Sequence, residues 1–125
     1  MDKKAFSANG AAVVGPYSQA IGAGDLVFLS GQTPMDPETK KLVSGSIAEQ
    51  TRRCLLNLFS VLEAAGLTPA HVVKTTVFLT NMANFAEMNA EYKTHFSEPF
   101  PARSTIGVQE LPLGAEVEIE LIAHR

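Results

Sequence analysis

Residues 115 to 123 read Ala115-Glu116-Val117-Glu118-Ile119-Glu120-Leu121-Ile122-Ala123. Successive side chains of an extended chain point to opposite faces. Val117, Ile119 and Leu121 therefore share one side, while Glu116, Glu118 and Glu120 share the other. The stretch reads as a strand with one face against a core. Just upstream, Leu111-Pro112-Leu113-Gly114 turns the chain, and residues 103–109 form another strand candidate. These two final strands, joined by a short turn, are expected to pair antiparallel.

Further back, residues 72–79 are rich in Val and Thr and predict a strand. Residues 17–23 and 26–31 predict two more, separated by the tight-turn pair Gly24-Asp25. Residues 32–45 are turn-rich, with Pro34, Asp36-Pro37 and Gly45. A first helix is predicted over residues 47–65. Ser46 and Glu49 give it a capping-box pattern, and Gly66 can take the left-handed conformation that ends it. Its buried stripe is Ile47, Thr51, Cys54, Leu55, Leu58 and Leu62, at helical spacing. A second helix is capped by Asn81 or Asn84 and ends near His95 or Phe96, with Phe85, Met88, Tyr92 and Phe96 on its apolar face.

The expected order is strand, strand, helix, strand, helix, strand, strand: an α+β chain, one domain over residues 1–125, with two helices on one face of a mixed sheet. Two helices cover only that face. Yet Leu26-Val27-Phe28-Leu29 and Val77-Phe78-Leu79 are apolar at consecutive positions, so both faces of the inner strands call for burial. The second face most simply packs against another subunit.

Composition narrows the function. The chain has 125 residues and a formal net charge of −3, and its basic residues are dispersed pairs, not a patch. That is a poor footprint for a nucleic-acid partner. No apolar run approaches the ~18–20 residues of a membrane span. The charged start Met1-Asp2-Lys3-Lys4 lacks an apolar signal core, so a cytoplasmic protein is expected. Cys54 is the lone cysteine, and on a helix stripe it reads as a buried, inert thiol. His71, His95 and His124 show no metal-ligand spacing. GxGxxG, Walker, HExxH and GxSxG patterns are absent from the sequence. What remains is Arg103, entering a strand after Pro101-Ala102, and Glu118, on the polar side of the last strand. By themselves these suggest a soluble α+β oligomer with an anion site.

Several blocks then resemble one family. Pro101-Ala102-Arg103-Ser104, Leu111-Pro112 and Val117-Glu118-Ile119-Glu120 are similar to the C-terminal signature of the RidA (YjgF) reactive-intermediate deaminases. Gly15-Pro16-Tyr17-Ser18-Gln19, Ser30-Gly31-Gln32-Thr33-Pro34, Ala64-Ala65-Gly66-Leu67, residues 73–79 and Phe85-Ala86-Glu87-Met88-Asn89 extend the likeness, in order, over residues 15–123.

The resemblance implies a chorismate-mutase-like fold and a homotrimer whose sheets form a central barrel, with three clefts between subunits. It implies hydrolysis of 2-aminoacrylate, 2-aminocrotonate and their imine tautomers, products of pyridoxal-phosphate-dependent dehydratases, to 2-oxo acids and ammonia. Neither a metal nor an organic cofactor is implied. By the same resemblance Arg103 holds the substrate carboxylate, Glu118 positions and activates water, and Tyr17 and Ser30 orient the water or the nitrogen. Gly31 and Thr105 offer backbone contacts, and Phe85 and Asn89 line the wall. Members often carry cysteine where Thr105 stands, so a catalytic thiol is excluded there. A nearby Arg103 is expected to depress the Glu118 pKa. Two other readings stand beside this one. One is a non-catalytic 2-oxo acid sensor or regulatory subunit that keeps Arg103. The other, a poorer fit, is action on RNA, a label some members carry.

Overall fold

The computed structural model describes residues 2–8, 13 and 15–125. The elements run β1 (Lys3–Phe6), β2 (Ala20–Ala23), β3 (Leu26–Gln32), α1 (Ile47–Ala64), β4 (Val72–Leu79), α2 (Phe85–Lys93), β5 (Ala102–Gly107) and β6 (Val117–His124). The strands form one mixed sheet in the order β1-β2-β3-β6-β4-β5.

Local chemistry sets the ends of α1. The Ser46 hydroxyl accepts from the Glu49 amide at 3.2 Å, satisfying one of the orphan donors of the first turn. At the other end Gly66 has φ +77°, its N–H donates to Glu63 O, and Leu67 N–H donates to Leu62 O, both at 2.9 Å. That is a Schellman closure, which satisfies carbonyls the helix leaves free. The predicted α1 stripe is buried throughout. It meets Val27, Leu29, Val77, Leu79, Val117, Ile119 and Leu121 from the sheet and Met88 and Tyr92 from α2. The Cys54 thiol is fully buried and points at the Val117 carbonyl, 3.7 Å away; burial pushes its pKa up, in keeping with an inert core residue.

The expected antiparallel pairing of the last two strands is not what forms. Among the described residues β5 pairs only with β4, and in parallel; β6 runs antiparallel between β3 and β4. The reason is the helix between β4 and β5. A helical crossover returns the chain to the end of the sheet where β4 began, so the next strand runs alongside β4 in the same direction. β6, whose inward side chains are all fully or almost fully buried, then takes the centre of the sheet. β1 was not anticipated. Its two lysines give no strand signal, but they suit an edge strand. β2 begins at Ala20, so Tyr17 precedes it.

The expectation of two apolar faces survives. Leu26, Phe28 and Ile106 are each about two-fifths exposed on the face turned away from the helices. Among the described residues no helix is long and apolar enough to cross a membrane.

Candidate active site

The register of the sheet decides where each candidate side chain points. Thr75 pairs with Arg103 and Val77 with Thr105. Thr75 and Val77 are fully buried beneath the helices, so Arg103 and Thr105 lie on the helix face of β5, at the open edge of the sheet. Phe78 pairs with Glu118. Its neighbours Val117 and Ile119 are the fully buried, helix-facing residues, so Glu118 lies on the opposite, helix-free face. One subunit therefore does not bring Arg103 and Glu118 together. It carries two half-sites back to back.

In the first half-site, Arg103 rests against α2. Its guanidinium carbon is 4.7 Å from the Tyr92 ring centroid and 5.6 Å from that of Phe85. Cation–π contacts of this kind hold a guanidinium flat against the rings, at roughly 0.5–2 kcal/mol each depending on desolvation. Tyr92 is fixed in turn: its hydroxyl and that of Thr75 share a buried 2.7 Å hydrogen bond. Burial raises the Tyr92 pKa, against the Thr75 hydrogen bond and the Arg103 charge, which lower it. Asn89 falls four residues after Phe85 and three before Tyr92, on the same stripe of α2. Among the described residues no carboxylate pairs with Arg103. Two positions along β5, the Thr105 hydroxyl is buried and has no hydrogen-bond partner. An unmatched buried hydroxyl two residues along the strand from a guanidinium without a described carboxylate partner makes this edge the candidate polar site.

Sequence reasoning placed Tyr92 only in the core and assigned Thr75 nothing. The available signal was a hydroxyl on each of two residues at inward-facing positions, which is costly to bury without a partner.

The second half-site is built on a bulge in β3. Leu29 pairs with Leu121 and Gln32 with Ile119, so β3 uses one more residue than β6 over this interval. The surplus falls at Ser30-Gly31. Such bulges re-aim side chains and recur beside active sites. The Glu118 carboxylate lies directly against Gly31. The Ser30 hydroxyl donates to Ser18 O at 2.7 Å, and the Ser30 amide to Gln19 O at 2.9 Å. These bonds draw the segment carrying Tyr17 alongside. Tyr17 itself is half exposed.

The Glu118 pKa is raised, first by burial and then by the charge of Glu120 on the same face. The expected depression by Arg103 does not arise within one subunit, because the sheet separates the two groups. Glu116 also departs from the expected alternation: it lies outside β6 and accepts from the Gln50 side chain of α1 at 3.1 Å. The histidines are engaged locally. His71 Nδ1 accepts from the Thr68 amide at 3.0 Å, His95 Nε2 meets Glu91 at 2.6 Å, and His124 Nδ1 lies 2.7 Å from Arg125 O.

Fold and site together define a class of protein: an α+β chain that displays an arginine stacked on two rings on one face of its sheet and a half-buried glutamate on the other. The chain belongs to the endoribonuclease L-PSP family, whose model matches residues 8–125, and within it to the Rid proteins of the resemblance. It is similar to a 2-iminobutanoate/2-iminopropanoate deaminase of Mus musculus, 45% identical over 112 residues, covering 90% of this chain and 83% of that one. A protein of the same name from Dermatophagoides farinae is 45% identical over 109 residues, covering 87% and 85%. A Rid-family protein of unknown function from Yersinia pestis superposes with a TM-score of 0.95 at 44% identity, covering 99% of this chain and 100% of that one. The fold is accordingly the chorismate-mutase-like one.

Proposed function

We propose that this protein hydrolyses reactive enamines and imines of 2-oxo acids, of the 2-aminoacrylate and 2-aminocrotonate type, to the oxo acid and ammonia. We further propose that it does so as a homotrimer, in clefts where Arg103 of one subunit faces Glu118 of the next. The observation that carries this is the back-to-back placement of the half-sites. A subunit with an unpaired arginine on one face, a half-buried glutamate on the other and apolar side chains exposed around that glutamate is completed by a copy of itself. The deaminase names borne by relatives at 45% identity support the same chemistry.

Each step asks for something the half-sites offer. The substrate carboxylate meets the planar fork of Arg103, which gives bidentate, charge-assisted hydrogen bonds worth about 1.5–3 kcal/mol each. The Thr105 hydroxyl, otherwise unmatched, donates beside it. Phe85 and Asn89 form the wall. Protonation of the enamine at its terminal carbon gives the imine. Glu118 accepts a hydrogen bond from water and aims it at the imine carbon; burial makes it a stronger base than an ordinary carboxylate. The Ser30 hydrogen is committed to Ser18, so its oxygen lone pairs remain to accept from water or from the substrate N–H. Tyr17 closes the same side. Glu118 takes the proton of the attacking water and returns it to the nitrogen, giving a tetrahedral carbinolamine. Transfer of the carbinol hydroxyl proton to the amine by the same carboxylate then breaks the C–N bond, releasing ammonia and leaving the 2-oxo acid.

The test is turnover of 2-aminoacrylate released in place by a serine dehydratase, with oligomeric mass followed by light scattering. Loss of activity in Arg103→Ala, with the oligomer intact, is expected. Full activity in that variant would overturn the assignment. Binding of a 2-oxo acid without any turnover in the parent protein would leave a sensor, not an enzyme.

A further inference from the structure

We propose that Gly31 is a positioning residue for the reaction: the absence of a side chain there creates the seat in which the Glu118 carboxylate is held. This rests on the reading of Glu118 as the group that aims water. A Cβ added at Gly31 would overlap Glu118 Oε2 and stand 3.0 Å from its Cδ and 3.2 Å from its Cγ. These three atoms, all from the same side chain, are the nearest it would meet.

Two features make the position specific to function. The first is the β3 bulge, which sets Ser30-Gly31 against β6 at the level of Glu118 and Glu120; a regular ladder would not place the extra residue there. The second is what the space is not needed for. Gly31 does not have the left-handed φ that only glycine adopts comfortably. No backbone atom is among the three nearest that an alanine methyl would meet. The fold does not require glycine at this point, whereas the glutamate does. An alanine would leave the sheet intact and push a flexible carboxylate out toward solvent. The other charged groups on this face are Glu120 of β6, Lys74 of β4, which donates to Ser104 Oγ at 2.9 Å, and, toward the far end, His124 of β6 and Lys3 of β1; β3 contributes none.

The experiment compares the parent trimer with Gly31→Ala by two readouts. One is the titration of the Glu118 carboxyl carbon by NMR with 13C-labelled glutamate, assigned by its disappearance in Glu118→Gln. The other is steady-state turnover of 2-aminoacrylate. We expect an unchanged oligomer and a Glu118 midpoint moved to lower pH, because displacement relieves the burial that raises it. We also expect kcat to fall by about 10²-fold, the low end of what a positioned acid–base group supplies, with KM little changed because Arg103 is untouched. In a Glu118→Asp background, where the shorter side chain retreats from the seat, adding Gly31→Ala should alter kcat by less than about twofold. A fall in kcat with no movement of the Glu118 midpoint overturns the proposal, since Gly31 would then act on the ligand directly. So does an unfolded Gly31→Ala, or a moved midpoint with kcat preserved. If the parent shows no turnover, the deaminase reading fails by itself, and the titration still decides whether Gly31 seats Glu118.

Discussion

The arginine half-site and the glutamate half-site are built on opposite principles. Arg103 is held by neighbours that are themselves fixed: its guanidinium lies over Tyr92, whose hydroxyl is bonded to the buried Thr75. Glu118 is held by space, against a glycine in a bulged strand, and no hydrogen bond to a protein group restrains it among those described. The difference suits the tasks proposed for them. A carboxylate clamp gains from rigidity, because bidentate geometry is lost with small rotations of the fork. A water-aiming carboxylate must accommodate a moving proton and a changing guest.

The contrast breaks most sharply at the rigid half. Replacing Arg103 with Ala removes two charge-assisted hydrogen bonds and should lower kcat/KM by about 10³-fold, while Arg103→Lys, which keeps the charge without the fork, should recover only part of the loss. The adaptable half should respond in a different parameter. Glu118→Gln is expected to lower kcat by about 10²-fold and to leave 2-oxo acid binding nearly unchanged, which calorimetry can check.

Smaller substitutions dissect the cradle. Tyr92→Leu removes one ring from beneath the guanidinium and should raise KM several-fold, in line with a cation–π contact of about 0.5–2 kcal/mol. Tyr92→Phe keeps the ring and strands the Thr75 hydroxyl, so it should reduce stability by about 1–3 kcal/mol in denaturant unfolding while changing KM little. A matching rise in KM and loss of stability in both variants would erase the distinction between platform and strut.

The smallest effect is in pH. In the proposed reaction Glu118 acts in its ionised form, and within one subunit its pKa is raised by burial and by Glu120. Activity should therefore fall as pH is lowered through the Glu118 pKa, which the Arg103 of the next subunit would draw back down in the assembled cleft. Glu120→Gln removes the like charge and should move that limb to lower pH. An unmoved limb would show that burial alone sets it.

Much of this molecule was legible before any coordinates. The α1 stripe, its Ser46 N-cap and Gly66 stop, and the alternation of β6 from Val117 onward follow from local spacing and formed as read; the Glu49 half of the capping box and the outward place of Glu116 did not. The paired apolar residues at 26–29 announced a second face in want of cover. The residues of the candidate site were recognisable through the resemblance, but their placement was not. Tyr92 and Thr75 were missed because each alone looks like an ordinary core position; only as a pair do they explain how a buried hydroxyl is tolerated.

The sequence by itself determined which side chains share a face, because a strand alternates and a helix repeats without reference to anything distant. The tertiary structure decided which face that was. β5 took β4 as its only partner, which turned Arg103 to the helix side, and one extra residue in β3 brought Gly31 against Glu118. Both outcomes depend on pairings between segments far apart in the chain, and such pairings are settled by burial summed over the whole sheet rather than by any local pattern.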